Sequence, residues 1–155
     1  MTSPRQTDVP IPREGDLAPK FRLPCYPKGE VSLADYLGEK KVLLAFYPRD
    51  NTPGCTKEMC AFSQDLISFA SADTVVLGIS CDSVQSHEKF SRQYSLQQIL
   101  LSDEDGSVGK AYGAVLEGRS SANRILFLID KEGVIQYIIN GMPENAKVLQ
   151  QLASF

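Results

Sequence analysis

Phe46-Tyr47-Pro48-Arg49-Asp50-Asn51-Thr52-Pro53-Gly54-Cys55-Thr56-Lys57-Glu58-Met59-Cys60 is the stretch that decides how this chain folds. It begins inside a continuous apolar run, Val42 to Tyr47, which stops at Pro48. A run that short, without polar alternation, predicts a strand buried on both faces of a sheet. After the loop at 49–54, Met59, Phe62, Leu66 and Phe69 recur at helical spacing, which predicts a helix from about 54 to 70. The loop therefore delivers Cys55 to the first turn of that helix. Unpaired backbone N–H groups and the positive end of the helix dipole gather there. Both stabilise negative charge on sulfur, and the thiolate is the form in which cysteine attacks. Thr52 lies three residues earlier, where a hydroxyl can reach the sulfur or an oxygen bound beside it. Position 55 is a place for an activated nucleophile.

Outward from this segment, strand and helix signals alternate. Phe21–Leu23 and Glu30–Ser32 read as short strands around a Pro-Lys-Gly turn at 27–29. Leu33–Leu37 reads as a helical turn ending at Gly38. Thr74–Ser80 is a second buried strand, Ser83–Tyr94 a helix, Ile99–Leu101 a short strand, and Val108–Tyr112 a short helix. Ile125–Ile129 and Val134–Ile139 flank Asp130-Lys131-Glu132-Gly133 as a hairpin, and Asn145–Leu152 closes the chain as an amphipathic helix. This order predicts an α/β fold with a mixed central sheet, helices on both faces and an N-terminal β-hairpin. Residues 1–14, with Pro4, Pro10 and Pro12 among charges, are expected to be a flexible arm, and 15–155 one domain.

Composition narrows the function. The 155 residues carry a net charge of −3, which argues against a nucleic-acid partner. No apolar run approaches the roughly 18 residues of a membrane span, and the polar start lacks a secretory apolar core. A cytoplasmic location without membrane contact is the expectation. Four cysteines, Cys25, Cys55, Cys60 and Cys81, in such a chain favour catalytic or redox use over a disulfide framework. With no C-x-x-C and a single histidine, His87, a metal site is not expected.

Pro48-x-x-x-Thr52-x-x-Cys55 matches the P-x-x-x-T-x-x-C motif of the peroxiredoxins. The wider string resembles their bacterioferritin comigratory protein or peroxiredoxin Q branch. Further matching segments are Gly78-Ile79-Ser80, Ser86-His87-x-x-Phe90, Lys110-Ala111-Tyr112-Gly113 and Arg124-x-x-Phe127-Leu128-Ile129-Asp130, so the resemblance spans roughly 15–152. It implies a thioredoxin-like fold and a thiol peroxidase acting on hydrogen peroxide and organic hydroperoxides in antioxidant defence. Cys55 takes the place of the peroxidatic cysteine, Thr52 and Pro48 stand around it, and Arg124 takes the place of the distant active-site arginine. Cys60 takes the resolving place, as in atypical 2-Cys enzymes. Thioredoxin or a similar dithiol is the implied reductant, with no bound cofactor, and the chain is expected to be a monomer. Cys81 departs from the branch, which commonly has proline there, and Leu126 replaces a small hydroxyl residue.

Other residues have plainer readings. His87 is expected to be exposed or half-buried on its helix, Asp103 and Asp105 to sit in a solvated turn, and Cys25 and Cys81 to be passive. Glu58 reads as a helix-face charge with a lysine or arginine partner. Cys55 and Cys60 raise a geometric problem, because five positions on an intact helix separate Cα atoms by roughly 8–9 Å. A disulfide needs less than about 7 Å, so pairing requires the helix to unwind. A general disulfide oxidoreductase is the weaker enzymatic alternative, since that chemistry uses C-x-x-C. A redox sensor that changes its binding surface when Cys55 is oxidised is the non-catalytic one.

Overall fold

A computed structural model of the chain describes residues 10–27 and 29–155. Its elements are β1 (Arg22–Tyr26), β2 (Gly29–Ser32), β3 (Lys41–Phe46), α1 (Pro53–Gln64), α2 (Leu66–Ser71), β4 (Thr74–Ser80) and α3 (Val84–Tyr94). They continue through β5 (Ile99–Ser102), α4 (Ser107–Tyr112), β6 (Ile125–Ile129), β7 (Ile135–Asn140) and α5 (Asn145–Leu152). Seven strands form one mixed sheet in the order β2-β1-β5-β4-β3-β6-β7. Strand β3 lies inside it, parallel to β4 and antiparallel to β6. The expected mixed sheet and N-terminal hairpin are both present.

Burial follows the two-residue period of a strand. Val42, Leu44 and Phe46 of β3 enter one core with Leu77, Ile79, Phe127 and Tyr112. Leu43, Ala45 and Tyr47 enter the other, with Met59, Phe62, Phe69, Phe90, Val148 and Leu152. Helices α1, α2, α3 and α5 thus cover one face, and α4 with the 3-10 turn Leu33–Asp35 covers the other. This is why the β3 sequence shows no polar alternation. Gly78 permits the close approach of α1, since a Cβ there would stand 2.8 Å from Leu100 Cδ2 and 3.2 Å from Met59 Sδ.

The long helix expected over 54–70 is instead two. Asp65, at φ −101° and ψ 14°, separates α1 from α2. There the Asn145 Nδ2 group donates both to the Ala61 carbonyl at 3.0 Å and to Asp65 Oδ2 at 2.9 Å. Apolar spacing continued across this break because both helices pack on the same face. Of the segment expected as an arm, residues 1–9 lie outside the described residues. Residues 10–14 run against the body: Pro12 is buried and Glu14 Oε2 accepts from the Ile138 N–H at 3.0 Å. The turn at 27–29 includes Lys28, which is likewise outside the described residues.

Candidate active site

Two anchors set the loop between β3 and α1. The first is Asp50, buried under the loop. Its carboxylate accepts from Tyr47 Oη at 2.6 Å and Ser86 Oγ at 2.8 Å, and it faces His87 Nδ1 at 2.7 Å. The Asp50 N–H donates to Asp82 Oδ2 at 2.8 Å. The second is Asn51, at φ 60°, whose amide bonds Gln93 and the Tyr94 hydroxyl on α3. His87 differs from its expected half-exposed place, for it is fully buried. Its Nε2 meets the Leu101 carbonyl at 2.8 Å, so the ring is held at both nitrogens. The buried pair supports the loop rather than the reacting centre.

Thr52 is the N-cap of α1, and Pro53 and Gly54 precede Cys55 in the first turn. Proline suits that place because it lacks the N–H that would go unpaired. The first helical bond runs from the Thr56 N–H to the Thr52 carbonyl at 2.8 Å, which leaves the N–H groups of Gly54 and Cys55 without intrahelical acceptors. The Cys55 side chain is 1% exposed and packs in the core with Met59 and Phe62. The Thr52 hydroxyl donates to the Arg49 carbonyl at 3.0 Å rather than to sulfur. Pro48 is half-buried at the strand's end.

Arg124 immediately precedes β6, where the antiparallel pair Phe46–Ile125 sets it beside the end of β3. Its Nη2 donates to Cys55 Sγ at 3.4 Å and its Nη1 to Glu58 Oε1 at 2.8 Å. Gly54 leaves room for this, because a Cβ there would lie 3.1 Å from Nη2. Glu58 was read as a helix-face charge with a cationic partner. The partner exists, yet the carboxylate is only 2% exposed and its Oε2 has no partner among the described residues. Burial lifts its carboxyl from 4.5 to about 7, against the pull of Arg124. The signal was present in the spacing: Cys55 and Glu58, three apart, share a helix face.

The structure brings Cys55, Arg124 and Glu58 together, and it does not bring Cys60 to Cys55. Cys60 is a free, partly buried thiol on the same intact helix. Cys25 and Cys81 pack with the core on the opposite face of the sheet. Burial raises both of their thiol pKa values, with Glu30 adding to the shift at Cys25 and Asp103, Asp82 and Asp105 at Cys81. Asp103 is also not in a solvated turn. It is buried, accepts from the Val108 and Gly109 N–H groups, and so caps α4.

Comparison with known proteins places this geometry. A model of the AhpC/TSA family matches residues 15–138. A Coxiella burnetii protein provisionally named peroxiredoxin bcp is 45% identical over 130 residues, covering 80% of this chain and 85% of its own. The chloroplastic peroxiredoxin Q of Oryza sativa subsp. japonica is 39% identical over 152 residues, covering 90% and 67%. The crystal structure of peroxidoxin BcpB from Mycobacterium tuberculosis superposes with a TM-score of 0.84 at 32% identity, covering 92% of this chain and 97% of that one. The fold is that of these thioredoxin-like neighbours.

Proposed function

Because the chain belongs to the AhpC/TSA family of peroxiredoxins, we propose that it is a thiol peroxidase in which Cys55 attacks hydroperoxides, Cys60 resolves the product and a thioredoxin-type dithiol restores both. The observation that carries the reading is the Arg124 guanidinium donating to the sulfur of a cysteine at a helix start. The Cys55 thiolate attacks one oxygen of the hydroperoxide, the O–O bond breaks, and the other oxygen leaves as water or an alcohol after taking a proton. Cys55 becomes a sulfenic acid.

The departing oxygen carries the developing negative charge. Arg124 and the free N–H groups of Gly54 and Cys55 are the donors available to meet it, and such fixed donors supply large rate factors. Because the Thr52 hydroxyl gives its proton to the Arg49 carbonyl, it offers a bound hydroperoxide an oxygen that accepts the O–H proton. Glu58 holds the other arm of Arg124 and fixes its plane. Pro48 closes the end of β3 beside the loop.

Resolution joins Cys55 to Cys60 and requires the first part of α1 to open. Cys81 is on the wrong face of the sheet to compete. Peptide mapping after one equivalent of hydrogen peroxide tests the reading. A Cys55–Cys60 disulfide that is absent from Cys55→Ser supports it, whereas a dominant Cys55–Cys81 bridge removes Cys60 from the resolving role.

A further inference from the structure

The peptide unit that joins Arg49 to Asp50 is bonded at both ends, and the two bonds lead to different parts of the molecule. Its carbonyl, on Arg49, accepts the Thr52 hydroxyl proton at 3.0 Å. Its N–H, on Asp50, donates to Asp82 Oδ2 at 2.8 Å. A trans peptide is planar and points its C=O and N–H in opposite directions, so these bonds leave opposite edges of one rigid plane. Whatever fixes the N–H therefore fixes the carbonyl. Through the carbonyl it also fixes the direction of the Thr52 O–H bond.

Asp82 is itself firmly held. It lies between β4 and α3 and is half-buried. Its Oδ2 also accepts from Ser80 Oγ at 2.7 Å, and its carbonyl accepts from Ser102 Oγ at 2.5 Å. Ser80 and Ser102 are register partners at the ends of the parallel strands β4 and β5. The acceptor is thus built on the sheet and not on the loop that it steadies. From the other side Tyr47, Ser86 and His87 grip the Asp50 carboxylate. Among the described residues the hydrogen bonds of Asp82 go to Asp50, Ser80 and Ser102, and none goes to Cys55, Thr52 or Arg124.

We propose that Asp82 is a positioning residue for hydroperoxide reduction, aiming the Thr52 hydroxyl through the Arg49–Asp50 peptide. This rests on the reading above, in which Cys55 attacks a hydroperoxide whose O–H proton Thr52 accepts. A hydroxyl has one proton and two lone pairs. With the proton committed to the Arg49 carbonyl, a lone pair is left for the O–H of the substrate, which turns its O–O bond towards Cys55. Without Asp82 the peptide is free to rotate, the carbonyl leaves, and the Thr52 proton turns to the Cys55 sulfur or to the substrate. The first arrangement draws charge from the attacking atom. The second sets a donor where the substrate presents its own. Either costs the orientation on which the rate steeply depends.

A role exerted through Thr52 has a signature that general loosening of the loop lacks. Once the Thr52 hydroxyl is gone, Asp82 has nothing left to aim, so the losses from Thr52→Val and Asp82→Ala should not multiply. Acceptor and charge also separate. The amide oxygen of asparagine still accepts from the Asp50 N–H, whereas any effect of the carboxylate charge on the site disappears in Asp82→Asn.

The experiment measures sulfenic acid formation by competition kinetics with hydrogen peroxide on the whole reduced protein, with the trapped adduct mapped to Cys55. Asp82→Ala should slow it by about tenfold. Asp82→Asn should stay within about threefold of the parent. Thr52→Val/Asp82→Ala should match Thr52→Val alone within about twofold. Asp82→Ser, whose oxygen is one bond short of the Asp50 N–H, should behave as the alanine variant does and serves if that one folds poorly. Asp82→Ala at the parent rate overturns the inference and leaves the attack by Cys55 intact. So does an asparagine variant as slow as the alanine one, or a tenfold loss repeated on top of Thr52→Val. A Thr52→Val loss no larger than about fifteenfold overturns the assignment of Thr52 and this inference with it. A parent that forms no Cys55 adduct overturns the peroxidase reading itself.

Discussion

Glu58→Gln isolates the electrostatic cost of the site. In the reduced protein Glu58 is buried, bonded through Oε1 to Arg124, and its carboxyl is raised from 4.5 to about 7. The cause is burial, which Arg124 offsets only in part. A carboxyl raised in the folded state binds its proton more tightly there than in the unfolded chain. Its contribution is therefore fully present below 4.5 and is lost as pH rises through about 7. The difference between the two values is worth about 3 kcal/mol in total, and most of it falls between pH 5 and pH 8.

Glutamine keeps an acceptor for Arg124 and has no charge to titrate. Its amide nitrogen inherits the place of Oε2, which has no partner among the described residues, a cost that does not vary with pH. The test is thus a difference between curves rather than a single midpoint. Urea unfolding of the reduced proteins should be followed by circular dichroism, since the chain has no tryptophan. From pH 5 to pH 8 the variant should gain about 2–3 kcal/mol relative to the parent, because the titrating groups common to both proteins cancel. Parallel curves over that range would refute the reasoning and leave Glu58 an ordinary ionised carboxylate.

Three further perturbations probe the surroundings. A free thiol of pKa about 8.5 is about 7% ionised at pH 7.4, so ionisation alone accounts for at most about fifteenfold in rate. Arg124→Met and Thr52→Val, which remove groups assigned to the transition state, should slow sulfenic acid formation by about a hundredfold, measured by competition kinetics. Losses no larger than about fifteenfold would remove that assignment. Gly54→Ala places a Cβ 3.1 Å from Arg124 Nη2, so it should slow oxidation without lowering the unfolding midpoint. His87→Leu removes a buried hydrogen-bond partner of the Asp50 carboxylate and should cost about 1–3 kcal/mol by denaturant unfolding.

Where sequence reasoning succeeded, the physics was local. An apolar run stopped by Pro48 could only be a strand covered on both faces, and β3 is one. The helix start at Pro53 put Cys55 in its first turn. What failed depended on residues far along the chain. Apolar periodicity alone gives no sign that the helix ends at Asp65, where Asn145 bonds from 80 positions away. His87 looks like a surface residue until Asp50, Leu101 and the loop close over it. Asp103 resembles a turn residue because its acceptors, the Val108 and Gly109 amides, belong to a helix that folds back onto it. Arg124 reached Cys55 in the sequence reading only through family resemblance, as 69 residues separate them and only the β3–β6 pairing joins them. Gln98, whose amide grips Met59, carried no local signal at all.

The central claim is that Cys55 turns over hydroperoxide. It is tested most directly by following NADPH consumption with hydrogen peroxide, thioredoxin and thioredoxin reductase, using the parent chain, Cys25→Ser and Cys55→Ser. The account predicts sustained multiple turnover in the parent and in Cys25→Ser, whose thiol lies on the opposite face of the sheet, and none above background in Cys55→Ser. Undiminished turnover in Cys55→Ser would contradict it.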